Sequence, residues 1–564
     1  MKNKKLLFLL TALLVTSCNA NSSEEPSLTN SPEESEVLSS DPIDVESSPS
    51  FESNSDISSE SESLEEPSEP EPETPSVSVP EVPSEPSESE PEAPSESDSE
   101  PEQPSSESDP TDEPSDSTDE PTENPNKTKN VTDYLGSDGD VYRVNITTEN
   151  NVFPYNKEDY INGSINITEQ DTSKVLHEDM SMRIKLRGNS TLSADKKPFK
   201  VKFDSKQGLF GLEKAKEWVL LANYYDKSNI RNYLAYLTAN KLDNLGFQPS
   251  YIMVDVYFNN EYYGLFLMCE QMEVNPGRVD IENNVSEDGI NSFFLEADER
   301  AKDEYAGLKG KCYVSSGGYD FALKGPDADD YVEALGDLSS DDPEKVAEAQ
   351  EIIAQFDKDT DWLQSFLDGV SEAIYSADYS QYHDKIDVDS FIDYYLVQEF
   401  FKNVDVGSTS QNYVIDQAND IVKLAMGPVW DFDIGAGTID ETSSSTYAYY
   451  VATDLFMRSR DYYLNSLFND EYFENLVKYR YTEVRDEVFA SVFEELDIVI
   501  ETLEKAQQRN IERWPLTQER KTWIEVYALS ENYLGIDSLQ GHYDYLEGFL
   551  SDRLALLDAA YLKR

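Results

Sequence analysis

Glu399-Phe400-Phe401-Lys402-Asn403-Val404-Asp405, then Gln411-Asn412-Tyr413-Val414-Ile415, then Gly427-Pro428-Val429-Trp430-Asp431-Phe432-Asp433-Ile434-Gly435: three mostly apolar blocks, each presenting polar groups at a fixed place. The first reads as the end of an amphipathic helix over 388–402 that delivers Asp405. The second reads as a short strand carrying Asn412, and the third as a Gly/Pro-bounded turn presenting Asp431 and Asp433. A carboxylate, an amide and a second carboxylate from neighbouring turns are what a hard divalent cation with bound phosphate requires: oxygen ligands, incomplete coordination and a spare carboxylate to accept a proton. The plainer alternative is that Asp405 and Asp431 cap helices or turns while Trp430 and Phe432 fill core. Residue types and spacing leave both open.

Upstream of these blocks the chain alternates as strands do over 141–146, 182–186 and 199–203, and 251–258 is rich in β-branched and aromatic residues. Asn259-Asn260-Glu261 marks a tight turn into 262–268, so this pair reads as a hairpin. Between the strand groups, 228–242 reads as a helix capped by Ser228. Beyond about residue 327 the character is mainly helical, with amphipathic stretches at 344–356, 360–377, 388–402, 470–508 and 538–562. The fold class expected is therefore α+β, with a sheet-rich first lobe, a helix-rich second lobe and the functional cleft between them.

A second polar constellation lies in the strand-rich part: Arg183, then Arg187-Gly188-Asn189-Ser190-Thr191, then Lys196-Lys197-Pro198-Phe199-Lys200-Val201-Lys202. Gly188 and its neighbours form a turn whose amides can face phosphate. After Pro198, the period of two places Lys200 and Lys202 on the face opposite Phe199, Val201 and Phe203. Either an anion is held there or the face is a solvated edge strand.

These blocks, with Trp218-Val219-Leu220-Leu221-Ala222-Asn223-Tyr224-Tyr225-Asp226-Lys227-Ser228, Arg231-Asn232, Tyr263-Gly264 and Glu270-Gln271, appear in an order that resembles the CotH family, the spore coat protein H kinases. The likeness covers roughly 135–560. It implies a two-lobed, atypical protein-kinase-like fold without the usual glycine-rich loop and His-Arg-Asp signature, both absent here. It also implies transfer of the γ-phosphate of ATP, with Mg²⁺ or Mn²⁺, to serine or threonine of surface or secreted proteins. Carried over by position, Asp405 is the catalytic carboxylate, and Asn412 and Asp431 hold the metal with Asp433 as an outer ligand. Lys200 or Lys202 contacts the α/β-phosphates, Glu270 pairs with that lysine, and Arg187 adds a phosphate contact. The presence of Asp405, Asn412 and Asp431 together favours the enzyme over an inactive adhesin or scaffold, whose decayed site would have lost one of them, whereas a divalent-metal phosphohydrolase would use the same carboxylates.

At the other end of the chain, Lys2, Lys4 and Lys5 lead into an apolar run and Val15-Thr16-Ser17-Cys18, which resembles a bacterial lipobox. Residues 1–18 read as a lipoprotein signal peptide, with Cys18 as the acylated anchor at the outer face of a bacterial membrane. Residues 19–129 read as a disordered Ser/Glu/Pro-rich acidic linker, since 21–126 hold neither Lys nor Arg, and 130–564 as the kinase-like domain. A net charge of -69, from 45 basic and 114 acidic residues, argues against nucleic-acid partners. Cys269 and Cys312 permit at most one disulfide, and the scattered histidines give no zinc spacing. Asp357, Asp359, Asp361 and Asp368 imitate a calcium loop, but Trp362 stands where glycine is needed. Glu296, Asp298 and Glu299, just beyond the strand 293–295, either reach the cleft or, the plainer reading, form a solvated acidic rim.

Overall fold

The computed structural model describes residues 130–440, 443, 454–517 and 519–562, all within one of the chain's two compact units, Asp119–Arg564. The signal peptide, Cys18 and the linker lie outside the described residues. Seven strands follow the first alternating stretches: β1 (Tyr142–Thr148), β2 (Ile161–Thr168), β3 (Val175–Leu186), β4 (Phe199–Gln207), β5 (Ala215–Leu221), β6 (Tyr251–Phe258) and β7 (Glu261–Glu270). They close into a barrel of order β1-β2-β3-β4-β5-β7-β6, sealed by parallel pairing of β1 with β6. In β4 the side chains of Phe199, Val201 and Phe203 are buried in the barrel while Lys200 and Lys202 face outward, as the period of two requires. Strands β5, β6 and β7 are apolar on both faces. Trp218, Val254 and Phe266 fill the barrel, and Val219, Met253 and Leu267 join a second core shared with the helices. Asn259 and Asn260, with φ of 49° and 72°, form the two-residue turn between β6 and β7.

A five-stranded sheet of order β12-β11-β8-β10-β9 follows, built from β8 (Phe293–Ala297), β9 (Tyr313–Ser316), β10 (Tyr319–Gly325), β11 (Gln411–Ile415) and β12 (Leu424–Met426). Its strands come from both sides of residue 327, so the helix-rich stretch is interleaved with sheet rather than following it. The long helices are α1 (Arg231–Asn240), α2 (Pro343–Tyr375), α3 (Val388–Phe401), α4 (Glu471–Val484), α5 (Val492–Arg513) and α6 (Leu539–Tyr561). Helix α2 runs unbroken through the two stretches expected at 344–356 and 360–377, which places the calcium-like aspartates on a helix instead of in a loop. A π-helical turn, Arg485–Ala490, interrupts the stretch expected at 470–508. Cys269 and Cys312 are buried free thiols.

Two differences have local causes. Helix α1 begins at Arg231, not at Ser228, because Asp226 accepts the Arg231 N–H at 2.8 Å and the Ser228 N–H at 3.0 Å, taking the role assigned to the serine. The second involves Gly264, whose φ of +152° and missing side chain let Lys196, Asn510 and Trp514 approach the barrel wall; a Cβ there would meet Lys196 Cε at 2.8 Å. Lys196 is thereby enclosed, donating to the Leu265 carbonyl and to Asn510 Oδ1.

Burial pushes the Lys196 ammonium down to about 7, against 10.5 in the unfolded chain, with Asp255 opposing. Between those values the unfolded state binds more protons, so this group adds stability as pH rises from about 7 towards 10.5. In urea unfolding, the stability of wild type relative to Lys196→Met is expected to increase by a few kcal/mol across that window; a pH-independent difference would contradict the buried amine.

Candidate active site

Helix α3 is buried on every side, with Phe391, Tyr394, Tyr395, Phe400 and Phe401 all in core. It stops where Lys402 turns left-handed at φ +45°, and the Asn403 N–H still returns to the Gln398 carbonyl at 3.2 Å. Asp405 follows, its carbonyl accepting the N–H groups of Ser408 and Thr409. The second loop, Trp430 to Asp433, is held against α1. Tyr236 stacks on Trp430 at 5.6 Å and its hydroxyl accepts the Asp431 N–H at 3.4 Å, while Asn232 Oδ1 accepts the Phe432 N–H at 2.6 Å. Arg231, fully buried, donates Nε to the Gly435 and Ala436 carbonyls at 3.2 Å each and Nη1 to Asp226 Oδ1 at 2.5 Å. These clamps hold Asp431 at φ +64°, a conformation a non-glycine residue keeps only when its surroundings impose it.

Asp405, Asp431 and Asp433 meet in one cluster. Burial raises the Asp405 carboxyl to about 7, with Asp431 adding to the rise and Arg300 and Arg460 opposing it. Burial also raises Asp431, against the pull of Arg187. Asp433 lies well above the usual carboxylate range through burial first, then through Asp431 and Asp405, and it hydrogen-bonds to Asp431. Three acids whose carboxyls are raised by burial, with too little positive charge nearby to offset it, suit a cation. Among the described residues, no three His, Cys, Asp or Glu side chains converge as a complete metal-ligand set. Mg²⁺ uses one or two carboxylates and takes its other ligands from phosphate and water, so Asp431 with Asp433 fits it without such a set. Asn412 commits Nδ2 to the Pro428 carbonyl at 2.9 Å, which leaves Oδ1 as its ligating atom.

Of the expected phosphate contacts, Arg187 reaches the cluster: its guanidinium lies 5.6 Å from the Trp430 ring, and its charge acts on Asp431. Gly188 beside it has φ +86°, and a Cβ would lie 2.2 Å from Thr191 Oγ1, so the turn requires glycine. Lys200 and Lys202 instead grip Glu217 on β5, each at 2.5 Å. The expected pairing of Glu270 with one of these lysines is not formed. Glu270 accepts the Ser250 N–H at 2.9 Å and faces Arg278 at 3.7 Å, because β5, not β7, lies beside β4 and puts Glu217 opposite Lys202. Glu296 and Asp298 are not merely a solvated rim either. Glu296 stands opposite Asn412 across β8 and β11, pairs with Lys324 at 3.3 Å and acts on Asp431. Asp298 holds Arg300 at 2.9 Å, and Arg300 in turn acts on Asp405.

Residue typing missed Asn403, Arg300 and Glu217. The first stands two positions before Asp405, a spacing that marks it as part of the same loop. Glu217 enters only through the pairing of β4 with β5, and Arg300 through the turn after β8, where Asp298 holds it. A cavity of ≈ 580 Å³ lies elsewhere, lined by Asp330, Glu333, Glu348, Ile352 and Phe356 among others, and touches none of these acids.

The family model described as CotH kinase protein matches residues 184–557, a span that runs from β3 into α6 and includes all the acids of the cluster. No curated protein matches the chain.

Proposed function

The chain belongs to the CotH kinase protein family, and from that premise we propose that it is a two-lobed atypical protein kinase transferring the γ-phosphate of ATP to serine or threonine of surface or secreted proteins. The observation that carries this reading is the meeting of Asp405, Asp431 and Asp433 beside Arg187. In it, Asp405 accepts the proton of the substrate hydroxyl and aligns it. Asp431, Asn412 and, from outside, Asp433 would hold Mg²⁺ or Mn²⁺. The cation, when bound, neutralises charge on the phosphates in the transition state. Arg187 meets phosphate from the barrel side, and Lys200 and Lys202 do so once nucleotide competes with Glu217 for them. Glu270 then acts through Arg278. We further propose that Cys18 anchors the chain by its lipid at the outer face of a bacterial membrane and that 19–129 is the tether between anchor and domain.

A second reading, an inactive surface binding or assembly protein, draws support from one observation: both strand lysines are already paired with Glu217. Incubating the purified full chain with γ-labelled ATP, Mg²⁺ or Mn²⁺ and a generic basic protein separates the two. Transfer of label to protein is expected; no transfer together with no nucleotide binding favours the scaffold, and free phosphate alone favours hydrolysis.

The Asp405 carboxyl, raised to about 7, also dictates a pH profile. A cation bound beside it lets the carboxyl ionise at lower pH than in the empty site, so the single-turnover transfer rate is expected to rise with pH and to level off once Asp405 is ionised. A rate flat across this range would remove Asp405 as the proton acceptor.

A further inference from the structure

We propose that Asn403 is a positioning residue whose side-chain amide sets the separation between Asp405 and Asp431. The assignment rests on the phosphotransferase reading above. Asn403 is 1 % exposed, and both ends of its amide are engaged. Oδ1 accepts the Asp405 N–H at 3.2 Å, and Nδ2 donates to the Asp431 carbonyl at 3.1 Å. Among the described residues it is the one side chain that hydrogen-bonds to the backbone of both acids.

Its position in the fold leaves that amide free for the task. The duty of Asn403 to the helix end is discharged by its backbone, through the N–H to the Gln398 carbonyl, whatever the side chain. The two acids otherwise belong to different elements, joined farther along by the Ala436 N–H to the Phe401 carbonyl at 2.6 Å. Asp405 follows the end of α3, whereas the Asp431 turn is fastened to α1 by Tyr236, Asn232 and Arg231. Packing of α1 against α3 brings the two loops near each other, and the Asn403 amide converts nearness into a fixed spacing. Phosphoryl transfer depends on that spacing, because the hydroxyl aligned by Asp405 must meet a phosphorus whose oxygens ride on the cation at Asp431. A misplacement of about an ångström costs on the order of 10²-fold in rate.

Two substitutions separate this role from a merely structural one. Asn403→Ala removes both ends of the bridge. Asn403→Asp is nearly isosteric and keeps the acceptor for the Asp405 N–H, but turns an oxygen towards the Asp431 carbonyl. The experiment compares full-length wild type, both variants and the exposed control Asn419→Ala, with γ-labelled ATP, Mg²⁺ and a generic basic protein, alongside urea unfolding of each. Expected are a kcat lower by ~10²-fold in Asn403→Ala and by at least about tenfold in Asn403→Asp, a KM for ATP within about threefold of wild type, and urea curves showing both variants fully folded under the assay conditions. Wild-type kcat in either variant overturns the assignment, as does a loss expressed wholly in KM or in unfolding. Absence of transfer by the wild-type chain itself removes the phosphotransferase premise, a result recognisably different from survival of transfer in the variants.

Discussion

Asp405→Asn is expected to slow phosphoryl transfer by ~10²–10⁴-fold, the range that a positioned proton acceptor contributes, while nucleotide and Mg²⁺ binding change little. Asparagine keeps the shape of the side chain and removes only the charge and the basic oxygen. Because the Asp431 charge raises the affinity of Asp405 for protons and such an interaction is reciprocal, taking the charge from Asp405 eases ionisation of Asp431. Metal binding by the variant is therefore expected to hold or tighten as transfer collapses. Asp431→Ala has the opposite signature: transfer is lost together with Mn²⁺ binding, read by the electron paramagnetic resonance of titrated Mn²⁺. Equal loss of metal in both variants would mean that the two acids share the cation and that Asp405 is a ligand, not the proton acceptor.

The largest expected loss of stability lies one turn of helix before the site. Glu399 and Arg553 are both fully buried and paired through Glu399 Oε1 and Arg553 Nη2. The Glu399 carboxylate also accepts the N–H groups of Phe456 and Met457, each at 2.7 Å, and Arg553 Nη2 donates to the Glu399 carbonyl at 2.7 Å. Arg553→Met strands a carboxylate in the core and is expected to cost about 3–5 kcal/mol, the penalty for breaking a buried pair from one side. Removing the charge as well, in Arg553→Met with Glu399→Gln, should return part of that loss, since the second change neutralises what the first left behind. Urea unfolding of the two variants measures both quantities. A loss under about 1 kcal/mol in Arg553→Met, or a double variant no more stable than Arg553→Met alone, contradicts the pair as a buried unit.

The elements that could be read ahead of the structure are those set by nearest neighbours. The alternation of Phe199, Val201 and Phe203 with lysines fixed both the strand and the face of β4. The Asn259-Asn260 pair fixed a hairpin because few residues tolerate two successive positive φ values. Helices α3 and α6 begin and end within a residue or two of where their apolar periods stop. The start of α1 was misread because Asp226 and Ser228 compete for the same N–H groups, and the longer reach of the carboxylate, braced by Arg231, prevails. The unbroken run of α2 was misread as two pieces because the aspartates at 357, 359 and 361 look like a break, whereas Asp359 is tied down by Gln355 one turn earlier and by Asn291 from outside the local sequence.

By itself the sequence determined the α+β class, the family and the two loops that carry Asp405 and Asp431, since these follow from local periodicity and from blocks whose order along the chain is itself the signal. Only the tertiary structure decided which charges meet. Glu217 rather than Glu270 takes the strand lysines, Arg300 arrives beside Asp405, and Asn403 joins the two acids. The physical reason is one of range. A residue's secondary structure is governed by neighbours three or four positions away, but strand order, register and helix packing bring together side chains hundreds of residues apart. A carboxylate's partner is whichever cation those long-range pairings place across from it.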